Sequence, residues 1–310
     1  MRLLEIDRVR ITVLVDNYTD LLRSDSSSVV TRPDLQNGEV LLAEHGLSLH
    51  ITAWSGDESL SVLMDAGASK VALLYNAALL GISLHDIAAL VISHGHDDHV
   101  GSLVDVLELS EKPVPVYIHP GSFSRRQKRF SDKPFVDIAP PDKAACMDAG
   151  AELLFTSGPT LLWQDRILIT GEIARTTVFE QSNPVYYVEV SDSSDSWVPD
   201  LFHDDQAVIL NLKGKGLVII TGCAHAGVIN TVQYARAITG IDTIYAVIGG
   251  FHLSGPFFSR IIDPTVATMQ KIHPGYVIPL HCTGWEAINR FIEMMPDQVV
   301  LNTVGSVYTF

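Results

Sequence analysis

A continuously apolar run, Ile87–Ser93, leads directly into the tract HGHDDHVGSLVDVLEL. A run of this length predicts a strand that is buried on both faces, as in parallel sheets. Within the tract, Val100, Leu103, Val104 and Leu107 have the spacing of one apolar helix face. The feature therefore predicts a strand, a histidine-rich loop and a helix, with the loop at the carboxyl end of a buried strand.

The same unit recurs in looser form later in the chain. Apolar segments at 216–222, 243–250 and 275–280 lead into CAHAG, FHLSG and HCTGW, so that a histidine follows each segment. Loops at strand ends collect functional groups in layered α/β folds. A helix is also predicted over Lys70–Leu80, where Gly81 can close it. We therefore expect an α/β fold with mixed sheets flanked by helices, in one domain that spans residues 1–310.

Composition and charge restrict the expected partners and location. The chain has 310 residues, of which 47% are apolar, and its formal net charge is -15. An acidic surface repels nucleic-acid phosphates and anionic lipids, so we expect neither nucleic acid nor membrane as a partner. Three cysteines do not form a disulfide framework, and no apolar segment resembles a signal peptide or a membrane span. We expect a cytoplasmic protein that binds a small molecule, with homo-oligomerisation left open.

The pattern H-x-H-x-D-H, formed by His94, His96, Asp98 and His99, predicts a metal site. Imidazole suits zinc and iron, and a carboxylate adds a harder anionic ligand. In a turn opened by Gly95, the first two histidines can bind one ion, while Asp98 and His99 reach a second. Capping of the next helix would use one aspartate and would leave three histidines without a role.

The tract SHGHDDHVGSL resembles the signature of the metallo-β-lactamase superfamily, and LMDAG at 63–67 resembles its strand-ending Asp-x-Gly motif. Nearly the whole chain is similar to one branch, the dihydropterin–ribofuranosylaminobenzene phosphate synthase-like proteins. The resemblance implies a four-layer αβ/βα sandwich, the metallo-β-lactamase fold, with metals in a cleft at the sheet ends. The other segments that carry it are EHGLSLHI (44–51), TGEIARTTVFE (170–180), TGCAHAGVIN (221–230), GGFHL (249–253) and PLHCTG (279–284).

The resemblance also implies a set of metal ligands. It implies two divalent ions, with zinc expected and manganese or iron as alternatives. It implies that His281 joins Asp98 and His99 at the second ion. Asp65 would orient the histidine loop, as carboxylates near metal-bound imidazoles do.

The chain departs from the common superfamily pattern in two places. GEIAR, with Glu172, stands where a mid-chain histidine motif is usual, and Cys223 stands where a bridging aspartate is expected. We expect His225 to complete the first ion's ligands with His94 and His96, although it could replace either missing group. Cys223 is either a soft ligand or a buried thiol.

Further residues are candidates for substrate contacts. His252 either donates to the reacting group or is a core histidine. The resemblance places Glu44 and His45 at the cleft, and Arg175 is a second candidate for an anion contact. The basic cluster RRQKR (125–129) is either a flap over an anionic substrate or a solvated loop.

Together these features predict a metal-dependent hydrolase with Asp98 and His252 as catalytic residues. Zinc lowers the pKa of a bound water to about 7, so that hydroxide can attack a phosphoester, a lactone or another carbonyl compound. Two alternatives stay open: a pterin-related synthase or transferase that uses a phosphorylated substrate, and a non-catalytic sensor of metal or ligand.

Overall fold

The computed structural model describes residues 1–35, 38–130, 133–190 and 196–310. Its helices are α1 (Lys70–Leu79), α2 (Asp97–Val100), α3 (Leu103–Leu107), α4 (Lys143–Asp148), α5 (Val228–Thr239), α6 (Ser259–Ile272) and α7 (Trp285–Met294), with 3-10 turns at Pro120–Phe123 and His281–Thr283. Its strands are β1 (Glu5–Ile6), β2 (Arg8–Val15), β3 (Val30–Thr31), β4 (Ser48–Ser55), β5 (Glu58–Met64), β6 (Ala89–Val91), β7 (Val114–Ile118), β8 (Arg126–Lys128), β9 (Val136–Ile138), β10 (Ala151–Phe155), β11 (Thr160–Leu162), β12 (Ile167–Ile169), β13 (Tyr186–Glu189), β14 (Trp197–Pro199), β15 (Ala207–Leu212), β16 (Gly216–Thr221), β17 (Ile244–Gly250), β18 (Tyr276–Leu280) and β19 (Val307–Thr309).

Two large sheets form the centre of the fold. The first has the strand order β10-β7-β6-β5-β4-β2-β19-β3, and the second has β11-β12-β15-β16-β17-β18 with β1 beside β15. Strands β5, β6, β7 and β10 run parallel in the first sheet, and β16, β17 and β18 run parallel in the second. The carboxyl ends of the parallel strands therefore gather at one edge of each sheet, where the predicted site residues lie.

Alternation along the strands divides the apolar residues between an inner and an outer core. On β16, Val218 and Ile220 face the other sheet, whereas Leu217 and Ile219 pack against α5, α6 and α7. A third core lies between the first sheet and helices α1 and α3. The layers are helices, sheet, sheet and helices, which confirms the four-layer αβ/βα sandwich of the metallo-β-lactamase fold. None of the described helices has the length and apolar character needed to cross a lipid bilayer.

The predicted helix after the histidine tract is interrupted. The strand before it is also shorter than expected, Ala89–Val91 instead of Ile87–Ser93. Helix α2 ends at Val100 and α3 begins at Leu103, because the chain at Gly101 packs against the segment after β5. A Cβ atom on Gly101 would lie 2.1 Å from the Ala68 carbonyl oxygen. This close approach brings the histidine loop against the end of β5.

For the basic cluster at 125–129 the sequence predicts a flap or a loop, and the structure places its central residues, Arg126–Lys128, in a strand. Strand β8 pairs with β9 and β13, and β13 pairs with β14, in a small third sheet. Arg126 is buried, while Lys128 lines a cleft at the sheet ends. Arg126 and Lys128 are two residues apart and leave β8 on the same face, so their different burial reflects their positions along the strand.

Substitution of Gly101 by alanine should destabilise the fold by about 1–3 kcal/mol, because the added methyl group meets backbone atoms that cannot rotate away. Gly158→Ala is the matched control, since a Cβ there meets nothing within 4 Å. It should change stability by no more than about 0.5 kcal/mol. Urea unfolding of both variants measures the difference, and equal midpoints would contradict the packing described at Gly101.

Candidate metal centre

Side chains from five strand ends meet between the two sheets. Each follows its strand by only a few residues, so the parallel strands fix where the side chain starts. They are Asp65 after β5, the loop His94–His99 after β6, Cys223 and His225 after β16, His252 after β17, and His281 after β18.

His94, His96 and His225 form the first donor cluster. One ring nitrogen from each lies within 4.8 Å of the others, and the ring centroids are 4.6 to 4.9 Å apart. The three Nε2 atoms are buried and have no hydrogen-bond partner. Burial lowers the pKa of His96 to about 3 and those of His94 and His225 well below the usual 6.5. Three neutral imidazoles thus point unshared lone pairs at one another, an arrangement that suits a divalent cation.

Asp98, His99, Cys223 and His281 form the second donor cluster, also with atoms within 4.8 Å. Asp98 Oδ2 lies 3.3 Å from His281 Nε2, and His99 Nε2 lies 3.2 Å from Cys223 Sγ. Burial raises the pKa of Asp98, but the nearby imidazoles, His99 first, outweigh burial and hold this pKa below its usual value. Burial lowers the pKa of His99, but Asp98 and Asp65 raise it to about 9. The negative field at this cluster favours a cation.

Asp65 holds the histidine loop in place. Its Oδ2 accepts hydrogen bonds from His99 Nδ1 and Ser93 Oγ, both at 2.7 Å, and its Oδ1 accepts one from the Ser93 backbone N–H at 2.7 Å. This contact at Nδ1 fixes the His99 ring so that Nε2 faces the second cluster. The structure therefore places Asp65 where the sequence analysis expected an orienting carboxylate.

Two residues that the sequence analysis did not single out complete the imidazole surroundings. Phe202 stacks on His225, with centroids 4.1 Å apart and planes 6° apart, and Tyr186 stacks on His96 at 5.3 Å. Nothing in the sequence near either aromatic residue indicates this contact. The rings cover the imidazole faces and limit the access of water to the first cluster.

Asn17 plays a similar part at the second cluster. Its Oδ1 lies 3.0 Å from His281 Nδ1, and its Nδ2 donates to the His281 carbonyl oxygen at 3.0 Å. This leaves His281 Nε2 facing Asp98. Asn17 directly follows Asp16 at the end of β2. Its position at a strand end was the feature of the sequence that could have indicated a role at the site.

A buried ion pair supports the histidine loop from below. Arg126 donates to Asp200 and Asp204, both at 2.7 Å, and Asp204 Oδ2 accepts from the Gly95 N–H at 2.9 Å. The guanidinium lowers the pKa of Asp204 against the effect of burial, which raises it. The Arg126 charge therefore acts on the loop through a carboxylate and is not available to a substrate.

Three residues expected at the site lie outside the cleft. Glu44 accepts the backbone N–H groups of Ala68 and Ser69, which directly precede α1. Glu172 is exposed and pairs with His203. Arg175 donates to the Leu201 carbonyl oxygen at 2.8 Å. Each side chain is held by hydrogen bonds or an ion pair to the surrounding backbone or surface, and none of the three lines the cleft.

A cleft of about 540 Å³ opens over both clusters. His45 and His252, two of the expected cleft residues, line it together with Asp98 and Cys223. His45 Nε2 lies 3.4 Å from Asp98 Oδ2, and the His252 ring lies 4.2 Å from that of His225. His252 is also close enough to Cys223 and His225 to form a third group of donors.

The sequence and the fold are both similar to those of known proteins. Residues 55–176 match the sequence profile of the metallo-beta-lactamase superfamily. The crystal structure of a metal-dependent hydrolase of the beta-lactamase superfamily is similar, with a TM-score of 0.73, 26% identity and coverage of 96% of this chain and 98% of that chain. A metallo-beta-lactamase fold protein from Bacillus subtilis, 12% identical, shares the fold with a TM-score of 0.54 over 98% of this chain and all of that chain. The chain thus resembles the metallo-β-lactamase superfamily in sequence over residues 55–176 and has the metallo-β-lactamase fold.

Two curated relatives indicate which branch of the superfamily the chain resembles. The 7,8-dihydropterin-6-methyl-4-(beta-D-ribofuranosyl)-aminobenzene-5'-phosphate synthase of Methanocaldococcus jannaschii is 28% identical over 274 residues, which cover 86% of this chain and 90% of the relative. An uncharacterized protein of the same organism is 28% identical over 268 residues, which cover 86% of this chain and 93% of that protein. These similarities confirm the resemblance to the synthase-like branch.

Replacement of Asp65 by asparagine should weaken zinc binding by about 10–100-fold, because the amide cannot accept from Ser93 and His99 as the carboxylate does. Glu172→Gln makes the same chemical change at an exposed position outside the cleft and should leave the affinity unchanged. Competition with a chromophoric chelator measures both dissociation constants. A folded Asp65→Asn protein with wild-type zinc affinity would show that this carboxylate does not orient a ligand.

Proposed function

We propose that the protein is a metal-dependent hydrolase whose two donor clusters hold two divalent ions beside a cleft for a small phosphoester or carbonyl compound. The observation that carries this proposal is the convergence of three buried imidazoles whose Nε2 atoms have no hydrogen-bond partner. Leaving a buried polar atom unsatisfied costs about 1–3 kcal/mol. A cation shared by His94, His96 and His225 would remove this cost.

The donor sets indicate which ion each cluster suits. The first cluster offers imidazole alone, and the second offers one carboxylate, two imidazoles and one thiol. Imidazole and thiolate ligands favour zinc over magnesium or calcium, which prefer oxygen. Because the donors come from segments between His94 and His281, in both large sheets, we propose that residues 1–310 act as a single domain.

The chain's own residues can perform the remaining chemistry. Bound divalent ions would supply a water of lowered pKa and polarise the reacting oxygen of the substrate. Asp98, an ionised acceptor at the cleft, can orient the attacking water. His252 lines the same cleft and can deliver a proton to the leaving group. Tyr186 and Phe202 shield the first cluster from bulk water.

A pterin-related synthase is the second candidate function. It is favoured by the similarity to the Methanocaldococcus synthase, which extends over most of both chains. A hydrolase needs only water as its second reactant, whereas a synthase needs a second organic substrate. Turnover of single phosphoesters or lactones would favour the hydrolase, and turnover only when two substrates are supplied would favour the synthase.

The purified protein should bind about two zinc ions per chain, and His96→Ala or Asp98→Ala should each reduce the count because each removes a donor from one cluster. His273→Asn is the matched control, since His273 is exposed at the end of α6. Mass spectrometry of metal content after dialysis measures the stoichiometry.

His252→Gln separates binding from catalysis in the same experiment. It should retain the metal and lower kcat on any hydrolysed substrate by about 10²-fold or more, because general acid catalysis is lost. Failure of the wild-type protein to bind any divalent ion, even on reconstitution, would contradict the proposed function. Loss of metal from the His252 variant would instead assign that histidine to a cluster.

Cobalt substitution should reveal Cys223 as a ligand of the second ion. A Cys223–cobalt bond produces a thiolate-to-metal charge-transfer band in the near ultraviolet, which Cys223→Ser should abolish. Cys282→Ser is the matched control, because Cys282 is also buried and its Sγ contacts the Cys223 carbonyl oxygen. If the band persists in Cys223→Ser, Cys223 does not bind the metal and is only a buried thiol.

A further inference from the structure

Most charges of the basic cluster at 125–129 are neutralised or occupied within the protein. Arg125 pairs with Glu189 at 3.0 Å. Arg126 is buried against two carboxylates, one of them Asp204. Arg129 donates to a neighbouring glutamine and packs over three aromatic rings at 4.6 to 5.3 Å. These arginines are therefore unsuited to hold a ligand in the cleft.

Lys128 is the exception in this cluster. It is half-buried, lines the cleft over the metal centre, and has no carboxylate partner in the part of the chain that the structure describes. Arg23 also lines the cleft, but it pairs with Asp25 at 2.8 Å. Lys128 therefore brings an uncompensated positive charge to a cleft that Asp97 and Asp98 also line.

The sheet register determines where the Lys128 ammonium lies. Lys128 is directly opposite Tyr186 across the β8–β13 pair, so both side chains leave the sheet on the same face. The Lys128 Nζ lies 5.2 Å from the Tyr186 ring centroid, and the same ring stacks on His96. The Tyr186 ring thus lies between the ammonium group and His96 of the first donor cluster.

The contact with Tyr186 does not use the hydrogen-bonding capacity of the ammonium group. A cation–π contact of this kind stabilises by about 0.5–1 kcal/mol and leaves the three N–H donors free. Free donors with a positive charge bind phosphate or carboxylate oxygens through charge-assisted hydrogen bonds. The contact with Tyr186 alone does not explain why Lys128 lines the cleft.

We propose that Lys128 binds an anionic group of the substrate, at a point removed from the bond that reacts at the metal centre. Lys128 is then a specificity-determining residue, which selects phosphorylated or carboxylated substrates over neutral ones. The proposal rests on the proposed function for the identity of the site as a substrate cleft. The contact with the anion does not itself require the metals.

Binding of small anions to the zinc-loaded and the metal-free protein tests this contact. The probes are phenylphosphonate, benzoate and the neutral dimethyl phenylphosphonate, titrated by calorimetry. Lys128→Met should weaken the binding of the charged probes by about tenfold in both forms of the protein. Lys128→Arg should restore most of the affinity, and the neutral probe should not distinguish the variants.

Lys112→Met is the matched control, because it removes the same charge from an exposed lysine that does not line the cleft. It should leave all dissociation constants unchanged. Equal affinities of wild type and Lys128→Met for the charged probes would overturn the proposal, as would the absence of anion binding to either form. Preference for phenylphosphonate or for benzoate assigns the anion as phosphate or carboxylate. The metal-free titration keeps this result distinguishable from a failure of the proposed function, which would appear as a lack of zinc binding.

Discussion

The buried carboxylate of Asp65 is the interaction on which the arrangement of this site depends. It binds Ser93 and His99 through three hydrogen bonds of 2.7 Å, which join the ends of the adjacent parallel strands β5 and β6. Ser93 in turn packs so closely against Gly222 of the second sheet that a Cβ on that glycine would lie 2.0 Å from Ser93 Oγ. One carboxylate thereby fixes the histidine loop and, through Ser93, its distance from the loop that carries Cys223 and His225.

The strand ends share a backbone feature that turns their side chains into the site. Asp65, Ala224, His252 and His281 have φ values of 62°, 54°, 47° and 48°, although none is glycine. The left-handed region costs non-glycine residues roughly 1–2 kcal/mol each. All four follow parallel strands by one to three residues, where the chain leaves the sheet sharply. The tertiary packing imposes this strain, and it aims donors from different strands at a common point.

Local patterns predicted the part of the site that is local in sequence. The His94–His99 tract and Asp65 directly follow buried strands whose apolar runs are visible in the sequence. Both the strands and the positions of these residues at the strand ends could therefore be predicted. Glu44 lies in a segment that resembles the branch, yet its carboxylate binds the backbone N–H groups of Ala68 and Ser69 before α1 and does not line the cleft. Phe202 and Tyr186 could not be predicted, since only the tertiary structure brings their rings onto His225 and His96.

The charge of the metal centre explains how a strongly acidic chain can accept an anionic substrate. The first cluster contributes only neutral imidazoles, so a divalent ion there would keep its full charge. At the second cluster, Asp98 and a Cys223 thiolate would offset the charge of the other ion. Arg126 adds little, because Asp200 and Asp204 neutralise it. The proposed centre is thus positive at its histidine cluster, and Lys128 extends this positive region along the cleft while the outer surface of the protein remains negative.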